Sequence, residues 1–189
     1  KYRVQISLLA AQSHYDFKEI LPDLVIHLGE VSGDYYIPKL LKQQVWRVSE
    51  DGEIRDPYKS LKYVFEMPLF SFFGFYVKSE RTLENAYYQK CQDVCIALRA
   101  KLPDLPYSNL WTASQLCDKL PKESTLHFGI LNSLRAWNFF EVDRTITTAC
   151  NVGGFGIDGG MSACFGASQV HSDKPYFLVI GDLAFFYDM

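Results

Sequence analysis

Three strand-like runs in the second half of this 189-residue sequence end on residues that could bind a charged ligand. Asn132 and Ser133 follow the first run, a glycine-rich segment over 153–160 follows the second, and Gly181 and Asp182 follow the third. Ligands of open parallel sheets bind beyond the carboxyl ends of the strands. The pattern therefore predicts one binding site built from all three strand ends.

Asp182 places a carboxylate at the end of the last strand, beside the helix predicted to follow the glycine-rich segment. Mg²⁺ takes hard oxygen ligands, usually one or two carboxylates with phosphate oxygens and water. The residue types therefore indicate a magnesium–phosphate site. The alternative is that Asp182 caps the next helix, and this is favoured when the residue is considered alone. For Asp158, capping the predicted helix 159–170 is favoured in the same way.

The glycine-rich segment could bring the backbone close to a phosphate. Glycine takes positive φ freely, and the first N–H groups of a following helix lack intrahelical partners and favour an anion. A tight strand–helix turn without a ligand is an equal alternative, and the segment is not a G-x-G-x-x-G dinucleotide fingerprint. Small side chains predict close packing of the following helix against its neighbours: Ser162, Ala163, Gly166, Ala167 and Ser168.

The elements that position these residues alternate between strand and helix. Strands are predicted over 124–130, 144–150 and 174–182, with a helix over 132–142 that is capped by Asn132 and Ser133. Ser108 is predicted to cap an earlier helix. This order predicts an α/β fold, a parallel Rossmann-like sheet in a three-layer α/β/α arrangement.

The first half shows the same alternation with fewer elements. Strands are predicted over 23–33, 44–49 and 62–68, followed by a long amphipathic helix over 79–102 that is capped by Ser79. We place the domain boundary between Gly74 and Pro106. Core positions are predicted for most members of an aromatic cluster: Phe70, Phe72, Phe73, Phe75 and Tyr76.

The composition and the apolar runs of the chain indicate which classes of protein it does not belong to. The formal net charge of −3 argues against a nucleic-acid binder. We find neither an apolar run of the roughly 20 residues that a spanning helix needs nor a signal peptide, and therefore expect a cytoplasmic protein. The five cysteines are predicted to be reduced, buried thiols. His27 and His127 are predicted to be structural.

Three segments together resemble the diphosphate-binding domain of thiamine-diphosphate-dependent enzymes. They are Asn132-Ser133-Leu134, the motif Asn151-x-Gly153-x-x-Gly156-Ile157-Asp158-Gly159, and Gly181-Asp182-Leu183 with Tyr187-Asp188. Within that superfamily the chain looks most like the 2-succinyl-5-enolpyruvyl-6-hydroxy-3-cyclohexene-1-carboxylate synthases of menaquinone biosynthesis. The first half matches more loosely, as the later part of the central Rossmann-like domain.

The resemblance implies a role for each matching residue. Asp182 would bind the Mg²⁺ that bridges the diphosphate, and Ile157 would lie under thiamine diphosphate and hold its bent shape. The remaining cofactor-binding positions would be Asn132, Ser133, Leu134, Gly156, Gly181 and Leu183. The implied activity is that of a carboligase or decarboxylase acting on a 2-oxo acid and an acceptor, in a homo-oligomer, a dimer or a tetramer.

Two positions depart from the pattern of the synthases. Val152 and Trp137 stand where that family has arginines, which are expected to bind substrate carboxylates by bidentate pairing. A related decarboxylase with a less anionic 2-oxo acid therefore fits equally well. A non-catalytic α/β module is the third alternative.

The resemblance also implies a division of the chain and parts outside it. Residues 1–76 would be the end of the central domain, 77–105 a linker and helix, and 106–189 the start of the diphosphate-binding domain. The activating Glu would come from an N-terminal domain, and a metal-binding Asn would follow Met189. We therefore expect a fragment that is inactive alone, and the catalytic residues are unknown.

Overall fold

A computed structural model describes most of the chain. The described residues are 4–12, 16–29, 36–40, 43–76, 85–151 and 156–189. The chain forms two compact units, Lys1–Ala100 and Lys101–Met189. Their assignment to the central and diphosphate-binding domains of the superfamily stays a prediction. No helix within the described ranges is both long enough and apolar enough to span a membrane.

The first unit contains a three-stranded parallel sheet. Its elements are α1 (Ile6–Ala10), β1 (Leu24–Leu28), α2 (Ile37–Leu40), β2 (Gln44–Ser49), β3 (Leu61–Glu66), α3 (Leu69–Tyr76) and α4 (Ala86–Arg99). The strand order β1-β2-β3 follows the chain. All three predicted strands are confirmed, and β2 has the predicted bounds because its alternating sequence is set off by polar neighbours.

Helix α4 is amphipathic, as predicted, and packs through its cysteines. Cys91 and Cys95 are buried with Leu9 and Ile20 in one apolar cluster. The Tyr87 hydroxyl donates a 2.9 Å hydrogen bond to the carbonyl oxygen of Ile20, and burial raises the pKa of Tyr87 to about 12. The five cysteines are free thiols, and the predicted burial is confirmed for Cys91, Cys95 and Cys164 but wrong for Cys117 and Cys150, which are half-buried.

Two expectations for the first unit need correction. Helix α4 begins at Ala86, seven residues later than predicted, and the predicted cap Ser79 lies outside the described residues. The aromatic cluster forms helix α3 and is mostly not core. Phe72 is buried and Phe73 is half-buried, whereas Phe70, Phe75 and Tyr76 are exposed, because one face of a helix has room for only part of such a run.

The second unit contains another three-stranded parallel sheet, with a different strand order. Its elements are α5 (Asn109–Leu116), β4 (Thr125–Phe128), α6 (Asn132–Trp137), β5 (Thr147–Cys150), α7 (Gly160–Val170), β6 (Tyr176–Val179) and α8 (Asp182–Tyr187). The order is β5-β4-β6, so the chain passes from β4 to β5 on one side and then crosses to β6 on the other side of β4. The predicted parallel α/β fold is confirmed.

The core of the second unit lies around β4. Leu126 and Phe128 of this strand pack with Ala113 of α5 and Trp137 of α6, and the rings of Phe128 and Trp137 lie 5.6 Å apart. The predicted cap of α5 is confirmed, because the Ser108 hydroxyl accepts a hydrogen bond from the Trp111 N–H. This core holds β4 between its two neighbours and fixes the edge at which the strands end.

The predicted caps of α6 and α7 are wrong. Leu131 occupies the N-cap position of α6, so Asn132 and Ser133 are its first two residues. Gly159 occupies the N-cap position of α7 with φ +74°, and no side chain of its own caps that helix, so Asp158 is not its cap. Close packing of α7 is also contradicted. Of its small residues, Ser162, Ala163, Gly166 and Ala167 are exposed, and the helix is buried at Gly160 and Cys164.

Candidate functional site

A cavity of about 650 Å³ lies beyond the carboxyl ends of β4 and β6. The strand order reverses around β4, and in open α/β sheets such a switch point leaves a crevice where ligands bind. The described residues that line the cavity belong to the second unit: Asn109, Thr112, Ile130, Leu131, Asn132, Ser133, Ala136, Trp137, Ile157, Val179, Ile180, Gly181, Asp182, Leu183 and Ala184. The sheet topology thus places the cavity at the predicted edge.

Six of the eight predicted cofactor-binding residues line this one cavity. They are Asn132, Ser133, Ile157, Gly181, Asp182 and Leu183. Leu134 does not line it, because its side chain packs against the hydrophobic core. Gly156 is exposed and is also outside the lining. Residues from all three predicted strand ends are therefore brought together around the cavity, and Leu134 and Gly156 are the two predicted residues that do not line it.

Asp182 is the charged residue of the described lining. It is the first residue of α8 and is exposed. Its Oδ1 atom accepts a 2.8 Å hydrogen bond from the N–H of Leu183, which orients the carboxylate at the start of the helix. A single carboxylate at the rim of a cavity can be a ligand of Mg²⁺ when phosphate oxygens and water complete the coordination shell of the ion. Asp182 therefore fits a magnesium diphosphate, and within the described ranges no group of three or more His, Cys, Asp or Glu could hold a metal.

Ile157 reaches the cavity from a turn that precedes α7. It is half-buried, in keeping with an apolar residue that would support a bound ring system. At its neighbour Gly156 a Cβ atom would lie 2.5 Å from Oδ1 of Asp158, the end of an exposed side chain that can turn away. Residues 152–155, which include Gly153, Gly154 and Val152, lie outside the described residues.

The N-terminus of α7 is not a vacant phosphate site. The Asp188 carboxylate accepts hydrogen bonds from the N–H groups of Met161 and Ser162, the latter at 2.8 Å, and from the Ser162 hydroxyl at 2.6 Å. The Ser162 hydroxyl and these N–H groups hold the pKa of Asp188 below its ordinary value. The expectation that this helix would offer its first N–H groups to an anion is wrong for these two groups.

Two features of the cavity were missed from the sequence. Leu131 takes φ +69° and ψ −121° at the start of α6, a conformation that is not expected of a leucine. Asn109 and Thr112 reach the lining from α5, and their spacing of three residues on one helix face was the available signal. Trp137, which the resemblance placed at a substrate position of the synthases, is buried and forms part of the wall.

Asn151, the first residue of the glycine-rich motif, has a structural partner. The His127 Nε2 atom on β4 lies 2.6 Å from Oδ1 of Asn151, which directly follows β5. The histidine is buried, so the predicted structural role of His127 is confirmed. This contact joins the ends of β4 and β5 at the edge where the cavity opens.

Comparison with curated proteins identifies relatives over most of the chain. A 2-succinyl-5-enolpyruvyl-6-hydroxy-3-cyclohexene-1-carboxylate synthase of Bacteroides thetaiotaomicron is 34% identical over 178 residues, 90% of this chain and 31% of its own length. The synthase of the same name from Christiangramia forsetii is 42% identical over 87 residues, 46% of this chain and 15% of its own. A third, from Bacillus pumilus, is 30% identical over 91% of this chain. No protein-family model matches the sequence.

The chain is homologous to one segment of these synthases. It spans about a third of the length of the curated relatives that it matches.

Proposed function

We propose that the full-length gene product is a thiamine-diphosphate- and Mg²⁺-dependent carboligase or decarboxylase of a 2-oxo acid, with the activity that the name of the synthases states. The observation that carries this proposal is the gathering of six predicted cofactor-binding residues around one cavity in the second unit. The homology to the synthases over about 90% of the chain supports it.

Each part of the cavity has an assigned task in this proposal. Asp182 would be the metal ligand from this chain, and the start of α6, with Asn132 and Ser133, would line the diphosphate. Ile157 and the apolar residues Ile130 and Leu183 would exclude water from the bound ring system. When bound, thiamine diphosphate supplies the carbon nucleophile that attacks the carbonyl group of a 2-oxo acid.

The residues of the cavity favour a second candidate function, which differs from the first in its substrate. Trp137 forms part of the wall and cannot pair with a carboxylate as an arginine can. The described lining contains Asp182 and no basic side chain. A decarboxylase of a less anionic 2-oxo acid is therefore the alternative.

Turnover by the full-length gene product tests the proposed function. We expect consumption of a 2-oxo acid that needs both thiamine diphosphate and Mg²⁺ and stops when the metal is chelated. Activity with isochorismate and 2-oxoglutarate would reject the alternative decarboxylase, whereas activity confined to 2-oxo acids with uncharged side chains would support it. Absence of any cofactor-dependent turnover, together with absence of thiamine diphosphate binding, would leave the non-catalytic module as the function.

A further inference from the structure

Helix α8 carries Asp182 and Leu183 into the cavity but buries little apolar surface. It is six residues long, and within it the buried side chain is Ala184. Its large side chains are mostly exposed, at 61% for Leu183, 64% for Phe186 and 69% for Tyr187. Apolar burial orients most surface helices; among the described residues α8 has little of it, and a polar contact at its other end also holds the helix.

Asp188 makes that contact at the other end of α8. Its carboxylate binds the first turn of α7 through the Met161 N–H, the Ser162 N–H and the Ser162 hydroxyl; we call this set of contacts the Asp188 clamp. Hydrogen bonds to an ionised carboxylate are roughly twice as strong as neutral ones. Three such bonds therefore join two helices that share little other contact.

The clamp joins the two segments that reach the cavity from α7 and α8. Ile157 lies four residues before Met161, and Asp182 lies six residues before Asp188. Both Ile157 and Asp182 line the cavity, whereas Asp188, Met161 and Ser162 do not. The clamp thus fixes the separation between the apolar support and the metal-binding carboxylate from outside the cavity.

We propose that Asp188 is a positioning residue of the magnesium and thiamine diphosphate site, acting through Asp182 and Ile157. The inference rests on the proposed function. It adds that the affinity of the site depends on a carboxylate that touches neither the metal nor the cofactor. Residues that orient a metal ligand from outside its coordination shell commonly change metal affinity by about 10- to 100-fold when they are replaced.

The test measures thiamine diphosphate binding by calorimetry on the full-length gene product, as a function of Mg²⁺ concentration. Asp188→Ala removes the clamp, and Asp188→Asn keeps an acceptor oxygen but removes the charge. Ser162→Ala removes one hydrogen bond and keeps the two backbone ones. The matched control is Asp143→Ala, because Asp143 also accepts hydrogen bonds from a backbone N–H and a hydroxyl, both of Thr145, but these bonds lie within one loop and do not join α7 to α8.

We expect Asp188→Ala to weaken cofactor affinity about tenfold and to raise the Mg²⁺ concentration needed for half-saturation. Asp188→Asn and Ser162→Ala should each retain part of the affinity, at about threefold weaker binding, since each keeps some of the clamp. Asp143→Ala should stay within about twofold of the wild type. Because the melting temperature of each cofactor-free variant is recorded, a loss of stability is separated from a loss of affinity.

Two results would overturn the inference while leaving the proposed function intact. The first is a cofactor affinity of Asp188→Ala that equals the affinity of the wild type. The second is a loss of affinity in Asp143→Ala as large as the loss in Asp188→Ala. If Asp188→Ala does not fold, Asp188→Asn and Ser162→Ala decide the question, and wild-type affinity in both would overturn the inference. A wild-type protein that shows no magnesium-dependent binding would overturn the proposed function itself.

Discussion

The two units contain parallel sheets of equal size that use the polar groups at their strand ends differently. In the first unit the strand order follows the chain, β1-β2-β3, and in the second it reverses around β4. A reversal of strand order creates a switch point at the carboxyl edge, where ligands of open α/β sheets bind. The cavity of the second unit lies at that edge, so its position follows from the strand order and not from the presence of a parallel sheet alone.

In the first unit, Arg47 binds polar groups near the carboxyl edge of the sheet, so that these groups are paired within the fold. Its side chain is completely buried on β2. It donates hydrogen bonds to the carbonyl oxygens of Gly29 and Glu53 and is paired with Asp51. The charged group therefore stabilises the fold from within. In the second unit Asp182 takes an exposed position at the rim of a cavity, where a ligand can reach it.

The largest effect on stability is expected from Arg47→Met, which tests whether the buried guanidinium group of Arg47 stabilises the first unit. The change leaves two carbonyl oxygens without their donor, at about 1–3 kcal/mol each, so we expect a loss of about 3 kcal/mol in unfolding free energy. Urea unfolding of the full-length gene product measures it. Cofactor affinity should stay within about twofold, because the described cavity lining lies in the second unit.

Arg55→Met is the control for this prediction. Arg55 is half-buried and pairs with the exposed carboxylate of Glu53, and ion pairs that face solvent contribute about 0–1 kcal/mol. A loss of stability as large as that of Arg47→Met would contradict the distinction between a fully buried and a half-buried arginine. A loss of cofactor affinity in Arg47→Met without a loss of stability would contradict the division of roles between the two units.

A smaller effect of opposite sign is expected at Leu131 in the second unit. Its positive φ with ψ −121° is a conformation that glycine enters readily and leucine does not. We expect Leu131→Gly to raise the unfolding free energy by about 1 kcal/mol, the relief of strain exceeding the extra entropy of the unfolded glycine. Leu131→Ala keeps the strain and should not be stabilising; equal gains in both variants would show that strain is not the cause.

The smallest expected effect is a loss of unfolding free energy at low pH, and it concerns carboxylates in both units. Hydrogen bonds from Ser49 and Glu53 lower the pKa of Asp51, those from Thr145 lower that of Asp143, and those from Ser162 and Met161 lower that of Asp188. These carboxylates titrate lower in the folded than in the unfolded state, where the ordinary value is 3.8. Their stabilisation is present above that value and is lost as pH falls through the folded pKa.

Comparison of the wild type with Asp188→Asn isolates one of these carboxylates. The variant should be less stable at neutral pH, and the difference should shrink as the pH is lowered below about 4. Thermal unfolding over a series of pH values measures this. A difference that stays constant over the series would show that the ionised form of Asp188 is not what stabilises the clamp.

Much of the fold could be predicted because it depends on local pattern. The alternation of Gln44–Ser49 and the apolar run before Gly29 predict strands directly. The position of Asp182 at a strand end followed from the same pattern. Wrong predictions arose where tertiary contacts override local preference. Asn132 and Ser133 are good capping residues, yet the strand–helix junction places Leu131 at the N-cap position.

The partner of the α7 N-terminus could not be predicted for a similar reason. Asp158 is adjacent in sequence to the start of α7, whereas Asp188 is 26 residues beyond Ser162. Local spacing favours the adjacent carboxylate. The connection through β6 and α8 brings the distant one into contact, and a single sequence contains no signal for such a return of the chain.

We propose that Asp182 holds the magnesium of a bound thiamine diphosphate. Calorimetry on the full-length gene product, wild type and Asp182→Asn, with and without Mg²⁺, tests it most directly. We predict magnesium-dependent binding by the wild type and affinity reduced about a hundredfold in the variant, with stability unchanged within about 0.5 kcal/mol. Equal affinity in the two proteins, or wild-type binding that is indifferent to Mg²⁺, would contradict the account.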